Sequence, residues 1–219
     1  DLVFTVLEEH DKNYDMSNQL KVIFGNEIKI IIIKNITRGP AETALIASKY
    51  LDQNEKVIFN DCDHYFSSAC LLNFLSSSDV NKYKAALLVT ETNSKKPEWS
   101  YVKYDKNKNL IAIKEKDKKL AESGAKGIIA CYYFQKLRNF TTECKKMIKE
   151  RDLVGSKNVK EFFISKVYDR LLLKDNKIFV ANSDFGIPMG TPDQIIKVLN
   201  SNILKSSHPE PPTYIFDID

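Results

Sequence analysis

The sequence predicts an α/β fold: a doubly wound, mostly parallel sheet with an added β-hairpin and C-terminal helices. Two observations indicate this. Short runs that are apolar on both faces, as in buried parallel strands, alternate with segments whose apolar residues recur at helical spacing. After residue 91 the pattern changes, and two strand-like runs flank the turn-forming segment DKNKN, which is typical of a hairpin. Alternating strands and helices form a sheet covered by helices.

The first half of the chain contains four predicted strands and two predicted helices. The strands are rich in β-branched and aliphatic residues, and they lie at residues 2–7, 28–34, 56–60 and 84–91. Pro40 opens the first helix, residues 40–52, because proline is favourable at the first helical position. The second helix covers residues 67–77, with Ser67 or Ser68 as its cap.

The second half adds the hairpin and the C-terminal helices. The predicted elements are the hairpin 100–116, a strand at 127–134, amphipathic helices at 141–152 and 160–174, a strand at 177–183 and a helix at 191–204. Thr191 is expected to cap the last helix, with Pro192 in its first turn. Residues 1–204 are predicted to form one domain, followed by a Pro-rich linker at 205–213 and a different strand pattern at 214–219.

Composition narrows the class of protein. The 219 residues are 43% hydrophobic with a formal charge of +4, and the interleaved Lys and Glu residues indicate a solvated surface rather than a nucleic-acid site. No apolar run reaches the length of a membrane span, and no signal-peptide pattern is present. The four cysteines lack CxxC spacing, which fits a cytoplasmic protein with reduced thiols. Because strand patterns stand at both ends and no Met begins the chain, we expect it to be an excerpt.

Two carboxylates follow directly after the third predicted strand, in VIFNDCDHYF. Ligands of open α/β sheets bind beyond the carboxyl ends of the strands, and this strand is apolar enough to be central. Asp61 and Asp63 would suit a hard divalent cation held by one or two carboxylates and substrate phosphates. Alternatively, Asp61 caps the following turn and only one Asp is functional. His64 borders this place, but His10, His64 and His208 are too scattered to form a metal site.

Other candidates fall on the same predicted sheet edge. Gly39, in TRGPAETAL, stands at a strand-to-helix turn where a backbone without Cβ can approach a ligand; a plain tight turn is the alternative. Glu115 and Lys116, in IKEKDK, could present a carboxylate to a hydroxyl and an ammonium to a phosphate. Alternatively, this segment is simply a run of charged residues on a solvated surface.

The order of motifs TRGPAETALIAS, VIFNDCDHYF, PEWSYVKYDKNKNLIAIKEK, ACYYF, KEFFISKVYDRLL and GTPD resembles the nucleotidyltransferase family that makes activated sugars. The resemblance spans residues 1 to 204, and its nearest branch belongs to bacterial capsule and surface-polysaccharide synthesis. It implies a nucleotide-sugar-binding Rossmann variant, Mg²⁺ (with Mn²⁺ as the alternative), and attack of a sugar-1-phosphate or related acceptor on a nucleoside triphosphate with release of pyrophosphate.

The resemblance also implies roles for single residues. Asp63 would hold the metal with Asp61 beside it, Gly39 would approach the nucleobase, and Glu115 and Lys116 would contact the sugar and its phosphate, Asp63 and Lys116 being the catalytic pair. Further sugar-pocket residues would be Glu161 and the pocket-wall residues Trp99 and Tyr101, although Trp99 could equally belong to the core.

The sequence departs from the family in two places. The Gly-rich loop that cradles the triphosphate does not occur, and the first 50 or so residues of the family pattern, about one βα unit, are missing. Pro188 stands where many relatives carry a second metal-binding Asp, with Asp184 nearby. At the C-terminus, YIFDID resembles the opening strand of haloacid-dehalogenase phosphatases, with Asp217 and Asp219 in the places of the nucleophile and the acid/base.

Two alternatives to the transferase remain open at this point. One is a glycosyltransferase of the related GT-A-type fold, in which DxD holds the metal of a nucleotide-sugar. The other is a catalytically silent nucleotide-sugar-binding domain, which Pro188 favours. Expected partners are small phosphorylated molecules, with neither nucleic acid nor membrane; self-association as a homo-oligomer, the base and the acceptor are left open by the sequence.

Overall fold

The structure is a computed structural model that describes residues 1–92, 99–155 and 160–201. Within these residues the strands are β1 (Val3–Leu7), β2 (Lys29–Ile33), β3 (Val57–Asn60), β4 (His64–Ser67), β5 (Ala85–Thr90), β6 (Ser100–Tyr104), β7 (Leu110–Glu115), β8 (Gly127–Phe134), β9 (Val154–Gly155), β10 (Lys160–Glu161), β11 (Ile178–Asn182) and β12 (Phe185–Pro188). The helices are α1 (Glu8–Tyr14), α2 (Met16–Phe24), α3 (Pro40–Ala47), α4 (Ala69–Ser76), α5 (Lys118–Glu122), α6 (Leu137–Lys149), α7 (Ile164–Leu172) and α8 (Pro192–Asn200). Two short 3₁₀ turns cover Ser48–Tyr50 and Ser78–Lys82.

The chain divides into two compact units. The first unit contains Asp1–Ile36, Asn60–Ser67 and the chain from Gly186 onward; the second contains Thr37–Phe59 and Ser68–Phe185. The predicted end of the domain at residue 204 and the predicted linker at 205–213 lie outside the described residues.

A mixed sheet forms the centre of the second unit. Its strand order is β11-β5-β8-β6-β7, and β3 also pairs with β8. All six residues of β5 are buried, as expected for a strand with five apolar residues before Thr90. Strand β5 runs parallel to β11 but antiparallel to β8, and β6 runs antiparallel to both β7 and β8.

The predicted α/β class is therefore confirmed, whereas the prediction of a mostly parallel sheet is confirmed only in part. Parallel pairing joins β11 to β5 and β1 to β2. The antiparallel pairs of this sheet are supplied by the hairpin β6–β7 and by β8, which pairs with β5 and β6 and runs antiparallel to both. Strand β3, predicted to be central, has three half-buried residues out of four.

Helices α3, α6 and α7 supply apolar residues to the core of the second unit. In α6 the buried residues Leu137, Phe140, Cys144 and Met147 recur every three or four positions, which places them on one face. The helix begins at residue 137, four residues earlier than predicted. Tyr168 of α7 is fully buried, and its hydroxyl donates to the carbonyl oxygens of Ala86 at 2.8 Å and Tyr133 at 3.1 Å.

The first unit has its own small core. Strands β1 and β2 run parallel, with Val3 opposite Lys29, and Phe4 and Val6 are buried together with Leu20 of α2. The sequence did not predict α1 and α2, which meet at Asp15 in a left-handed conformation (φ 51°). It also did not predict β4, which pairs with β12.

Helix starts follow local chemistry. Ser68, one of the two predicted caps, accepts a hydrogen bond from Leu71 N at the start of α4. Thr191 caps α8 in a reciprocal capping box with Gln194, and Pro192 is the first helical residue, as predicted. Helix α7 begins at Ile164 rather than at 160, because β10 is extended and pairs with β9. Of the helices described, none is long and apolar enough to cross a membrane.

Candidate functional site

The predicted site residues fall into two groups, one in each unit. Asp61 and Asp63 belong to the first unit. The second unit contains the other predicted residues within the described part of the chain, namely Gly39, Trp99, Tyr101, Glu115, Lys116 and Glu161.

Asp61 and Asp63 lie in the turn that joins β3 to β4, at the carboxyl end of an apolar strand. The side chain of Asn60, the last residue of β3, donates to the carbonyl oxygen of Asp61 at 2.8 Å. The amide of Met189 donates to the carbonyl oxygen of Asp63 at 2.6 Å, which ties the turn to the segment between β12 and α8. Hydrogen bonds therefore hold the backbone of the turn at both aspartates.

The two oxygens of Asp63 have different surroundings. Oδ1 lies 2.6 Å from Nδ1 of His64, and both atoms are buried. The side chain of Asp63 as a whole is nevertheless 43% exposed, against 13% for His64. The imidazole of His64 beside it lowers the pKa of Asp63 below its usual value, although burial acts in the opposite direction. Asp63 is thus an ionised carboxylate at neutral pH.

Gly190 lies against the other oxygen. A Cβ built on Gly190 would stand 2.5 Å from Oδ2 of Asp63, but 3.4 Å from its Cγ. Only the oxygen would collide. Gly190 and Pro188 flank Met189, and Pro188 ends β12.

Glu115 is held at the end of β7 in the second unit. Its Oε2 accepts hydrogen bonds from the hydroxyl of Ser100, directly opposite on β6, and from the hydroxyl of Ser165 at 3.2 Å. Ser165 is 4% exposed and stands in the first turn of α7. The carboxylate is half-buried, and two hydroxyl donors fix its orientation.

A cleft of about 230 Å³ opens beside Glu115. Its walls carry two carboxylates, two ammonium groups and a hydroxyl together with two aliphatic side chains, and its lining residues are Ile113, Lys114, Glu115, Val154, Ser165, Lys166 and Asp169. Lys166 pairs with Asp169 at 2.9 Å. Closely spaced donors and acceptors of this kind can bind a ligand with several hydroxyls.

Lys116 and Trp99 meet through the backbone. The amide of Lys116 donates to the carbonyl oxygen of Trp99 at 2.9 Å, and Lys116 has a left-handed conformation (φ 49°). Its ammonium stands 5.7 Å from the ring centre of Phe163, within the range of a cation–π contact, and the residue is exposed. Trp99 is half-buried against the cluster formed by Tyr101, Leu120 and Ala121.

The structure revises the predicted place of Tyr101. Its side chain is 0% exposed and packs with Leu120 and Ala121 of α5. Tyr101 is therefore a core residue and not part of an open pocket wall. The alternation of β6 turns it to the side that α5 covers, and the sequence did not predict α5.

Gly39 and Glu161 are neighbours. A Cβ on Gly39 would stand 2.8 Å from the amide nitrogen of Phe162 and 3.0 Å from Cβ of Glu161, and Gly39 itself has φ 127°. Hydrogen bonds of 2.9 Å join Ala41 N to Phe162 O and Phe162 N to Arg38 O. The close approach that Gly39 permits is thus to the backbone of Phe162; its contact with a nucleobase stays a prediction.

Comparison with solved structures identifies the fold. A nucleoside-diphosphate-sugar pyrophosphorylase from Vibrio cholerae RC9 superposes with a TM-score of 0.70 at 18% identity, over 91% of this chain and 80% of that one. An inositol-1-phosphate CTP transferase from T. maritima gives a TM-score of 0.66 at 15% identity, over 93% and 74% of the two chains. A candidate glucose-1-phosphate thymidylyltransferase from Bacillus anthracis, solved with a sucrose, gives 0.66 at 17% identity, over 90% and 74%.

The chain has the fold of these proteins. No protein-family model matches the sequence, and no curated protein matches it. The likeness is therefore one of structure.

Within this nucleotidyltransferase-like fold, no group of three or more His, Cys, Asp or Glu side chains that could hold a metal ion occurs among the described residues. A cation held by one or two carboxylates together with substrate phosphates does not need such a group. Asp184, which is near Pro188 in the sequence, accepts a hydrogen bond from the Ala69 amide at 2.9 Å, at the start of α4. Asp217 and Asp219 lie outside the described residues.

Sequence reasoning missed three residues of these two groups. Ser100 and Ser165 orient Glu115, and Gly190 lies against Oδ2 of Asp63. His64, which the sequence already places at the border of this site, contacts Oδ1. Ser100 could have been found, because it faces Glu115 across a hairpin whose turn was recognised. Ser165 is 50 residues from Glu115 in the chain, and no local signal connects the two.

Proposed function

We propose that the protein is a nucleotidyltransferase that joins a nucleoside triphosphate to a sugar-1-phosphate, or to a related phosphorylated acceptor, and releases pyrophosphate. The observation that carries the proposal is the fold shared with nucleotide-sugar pyrophosphorylases and transferases over 91% of the chain. The motifs that resemble this family support it, because Asp61 and Asp63 lie in the carboxylate turn of the first unit and Glu115 lines the cleft of the second.

The reaction would proceed by positioning and charge neutralisation. An oxygen of the acceptor phosphate forms a bond to the α-phosphorus while the bond from that phosphorus to the bridging oxygen of pyrophosphate breaks. Asp63, with Asp61, would hold Mg²⁺, which would neutralise phosphate charge when bound. The ionised state and partial exposure of Asp63 fit a cation ligand.

The second unit would bind the acceptor. Glu115, oriented by two hydroxyls, would accept a hydrogen bond from a sugar hydroxyl in the adjacent cleft. The exposed ammonium of Lys116 would pair with the acceptor phosphate. Glu161 would lie near the sugar, and Gly39 near the base. A role in capsule or surface-polysaccharide synthesis, and fusion to a phosphatase through residues 214–219, rest on the sequence resemblance.

Pyrophosphate release tests the proposal. The protein would be incubated with Mg²⁺, each of CTP, UTP, dTTP and GTP, and a panel of sugar-1-phosphates, with its intact mass measured in parallel. Release with one pair, lost in Asp63→Asn, would support the transferase. Glu122→Gln is the matched control, because Glu122 is an exposed carboxylate at the end of α5. Release that is unchanged in Asp63→Asn would contradict the role of Asp63.

A silent nucleotide-sugar-binding domain is the second candidate. It is favoured by Pro188 at the family position of the second metal-binding Asp. It predicts binding of an intact nucleotide-sugar, detected by calorimetry, with no pyrophosphate release from any triphosphate and acceptor pair.

A further inference from the structure

The carboxylate of Asp63 has one buried oxygen and one oxygen bordered by a glycine. Because Oδ1 is buried against His64, a ligand from solvent can reach only Oδ2. Oδ2 occupies the space in which a side chain at position 190 would begin, 2.5 Å from that Cβ position. The amide of Met189 holds the carbonyl of Asp63 at 2.6 Å, so the turn cannot retreat from Gly190 without losing this hydrogen bond.

We propose that His64 and Gly190 are positioning residues for Asp63, which together present the single oxygen Oδ2 to a divalent cation. His64 holds Oδ1, and Gly190 provides the space that Oδ2 occupies. This inference rests on the proposed function of Asp63 as a metal ligand. Both residues would act on the carboxylate of Asp63, and neither would contact the cation itself.

The geometry explains why a glycine is needed at position 190. Gly190 is exposed and its φ lies outside the left-handed range, so an alanine there would meet no backbone strain. Its Cβ would meet Oδ2 at 2.5 Å, whereas Cγ and Cβ of Asp63 stand at 3.4 and 3.6 Å. A Gly190→Ala substitution would therefore rotate the carboxylate rather than unfold the segment, and rotation would move Oδ1 away from His64.

The first test needs no metal and no substrate. Proton–nitrogen correlation spectra of ¹⁵N-histidine-labelled protein would report the Nδ1 proton of His64, assigned by its loss in His64→Gln. We expect its shift to change in Gly190→Ala and in Asp63→Asn. Gly25→Ala is the matched control in the same unit, because Gly25 has φ 86° and its Cβ would meet nothing within 4 Å. An unchanged signal in Gly190→Ala would overturn the proposal.

The second test uses Mn²⁺ alone, with binding followed by the loss of the free-ion signal in electron paramagnetic resonance. We expect Gly190→Ala and His64→Leu to weaken Mn²⁺ binding by about 10- to 100-fold, as loss of groups that orient a metal ligand does. His64→Gln, whose amide can still donate to Oδ1, should recover part of the affinity, and Gly25→Ala should leave it unchanged. Circular dichroism would confirm that each variant is folded.

Several outcomes would overturn the inference. Equal Mn²⁺ affinity in Gly190→Ala and the unaltered protein would refute the role of Gly190. Failure of the unaltered protein to bind Mn²⁺ would refute presentation to a cation, even if the imidazole signal responds as expected. Neither readout involves a nucleotide, so absence of pyrophosphate release alongside both expected results would contradict the proposed function and leave this inference standing.

Discussion

Substitution of Gly39 distinguishes a structural role from a ligand-binding role. An alanine at this position would place Cβ 2.8 Å from Phe162 N and 2.9 Å from Phe162 O, both of them backbone atoms that hydrogen bonds hold in place. Its φ of 127° adds backbone strain. Strain at such a conformation costs about 1–3 kcal/mol, and overpacking costs about 1–3 kcal/mol more. We therefore expect Gly39→Ala to lower the free energy of unfolding by about 2–6 kcal/mol.

Gly124→Ala provides the matched control. Gly124 belongs to the same unit and has φ 71°, but a Cβ there would meet nothing within 4 Å. It should cost only the left-handed strain, about 1–2 kcal/mol. Urea denaturation followed by circular dichroism would measure both variants. Equal losses in the two variants would refute the close approach of Phe162, and loss of nucleotide binding without loss of stability would favour the nucleobase contact instead.

Three further predictions concern groups whose surroundings are well defined. Tyr168→Phe should lower the free energy of unfolding by about 1–3 kcal/mol, because it removes a buried donor from the carbonyls of Ala86 and Tyr133; a urea midpoint equal to that of the unaltered protein would contradict this. The Arg38 hydrogen bond lowers the pKa of Glu42, so the stabilisation by this pair should be present above pH 4.5 and vanish as the pH falls through the lowered pKa. Its size should be about 0.3–0.5 kcal/mol, measured as the difference in thermal stability between the unaltered protein and Glu42→Gln across pH, and a difference that grows on acidification would be the wrong sign. Burial raises the pKa of Cys144 to about 12, so a chromogenic disulfide reagent at pH 8 should modify the half-buried Cys62 and Cys70 before the buried Cys131 and Cys144; peptide mass mapping would reveal the order, and early labelling of Cys144 would argue against its buried place.

Elements with a strong local signal were predicted well. The mainly apolar strand β5, the hairpin β6–β7 and the capped helix α8 appear where their sequences indicate. Helices α1 and α2 were missed because α1 has no buried residue and α2 has one, so neither carries the apolar stripe that reveals a helix. Strands β4 and β12 are short and half-buried, and they are stabilised by pairing with each other rather than by their own composition.

In the candidate site too, some features could be predicted from neighbouring residues in the chain and others could not. The sequence alone indicates a carboxylate pair after an apolar strand and a Glu-Lys pair after another, since both depend on residues adjacent in the chain. The family resemblance placed Tyr101 in a pocket wall, and a motif does not show whether a helix covers the side chain. The structure buries Tyr101 beneath α5.

By itself, the sequence determined the alternation of strands and helices, the helix caps and the position of Asp61 and Asp63 in a turn, because periodicity and capping act between residues a few positions apart. Only the tertiary structure decided the antiparallel course of β8, the approach of Phe162 to Gly39, the hydroxyl of Ser165 on Glu115 and the closeness of Gly190 to Asp63. Each of these joins residues that are distant in the chain. Packing and hydrogen bonding select such partners, and a local pattern does not encode them.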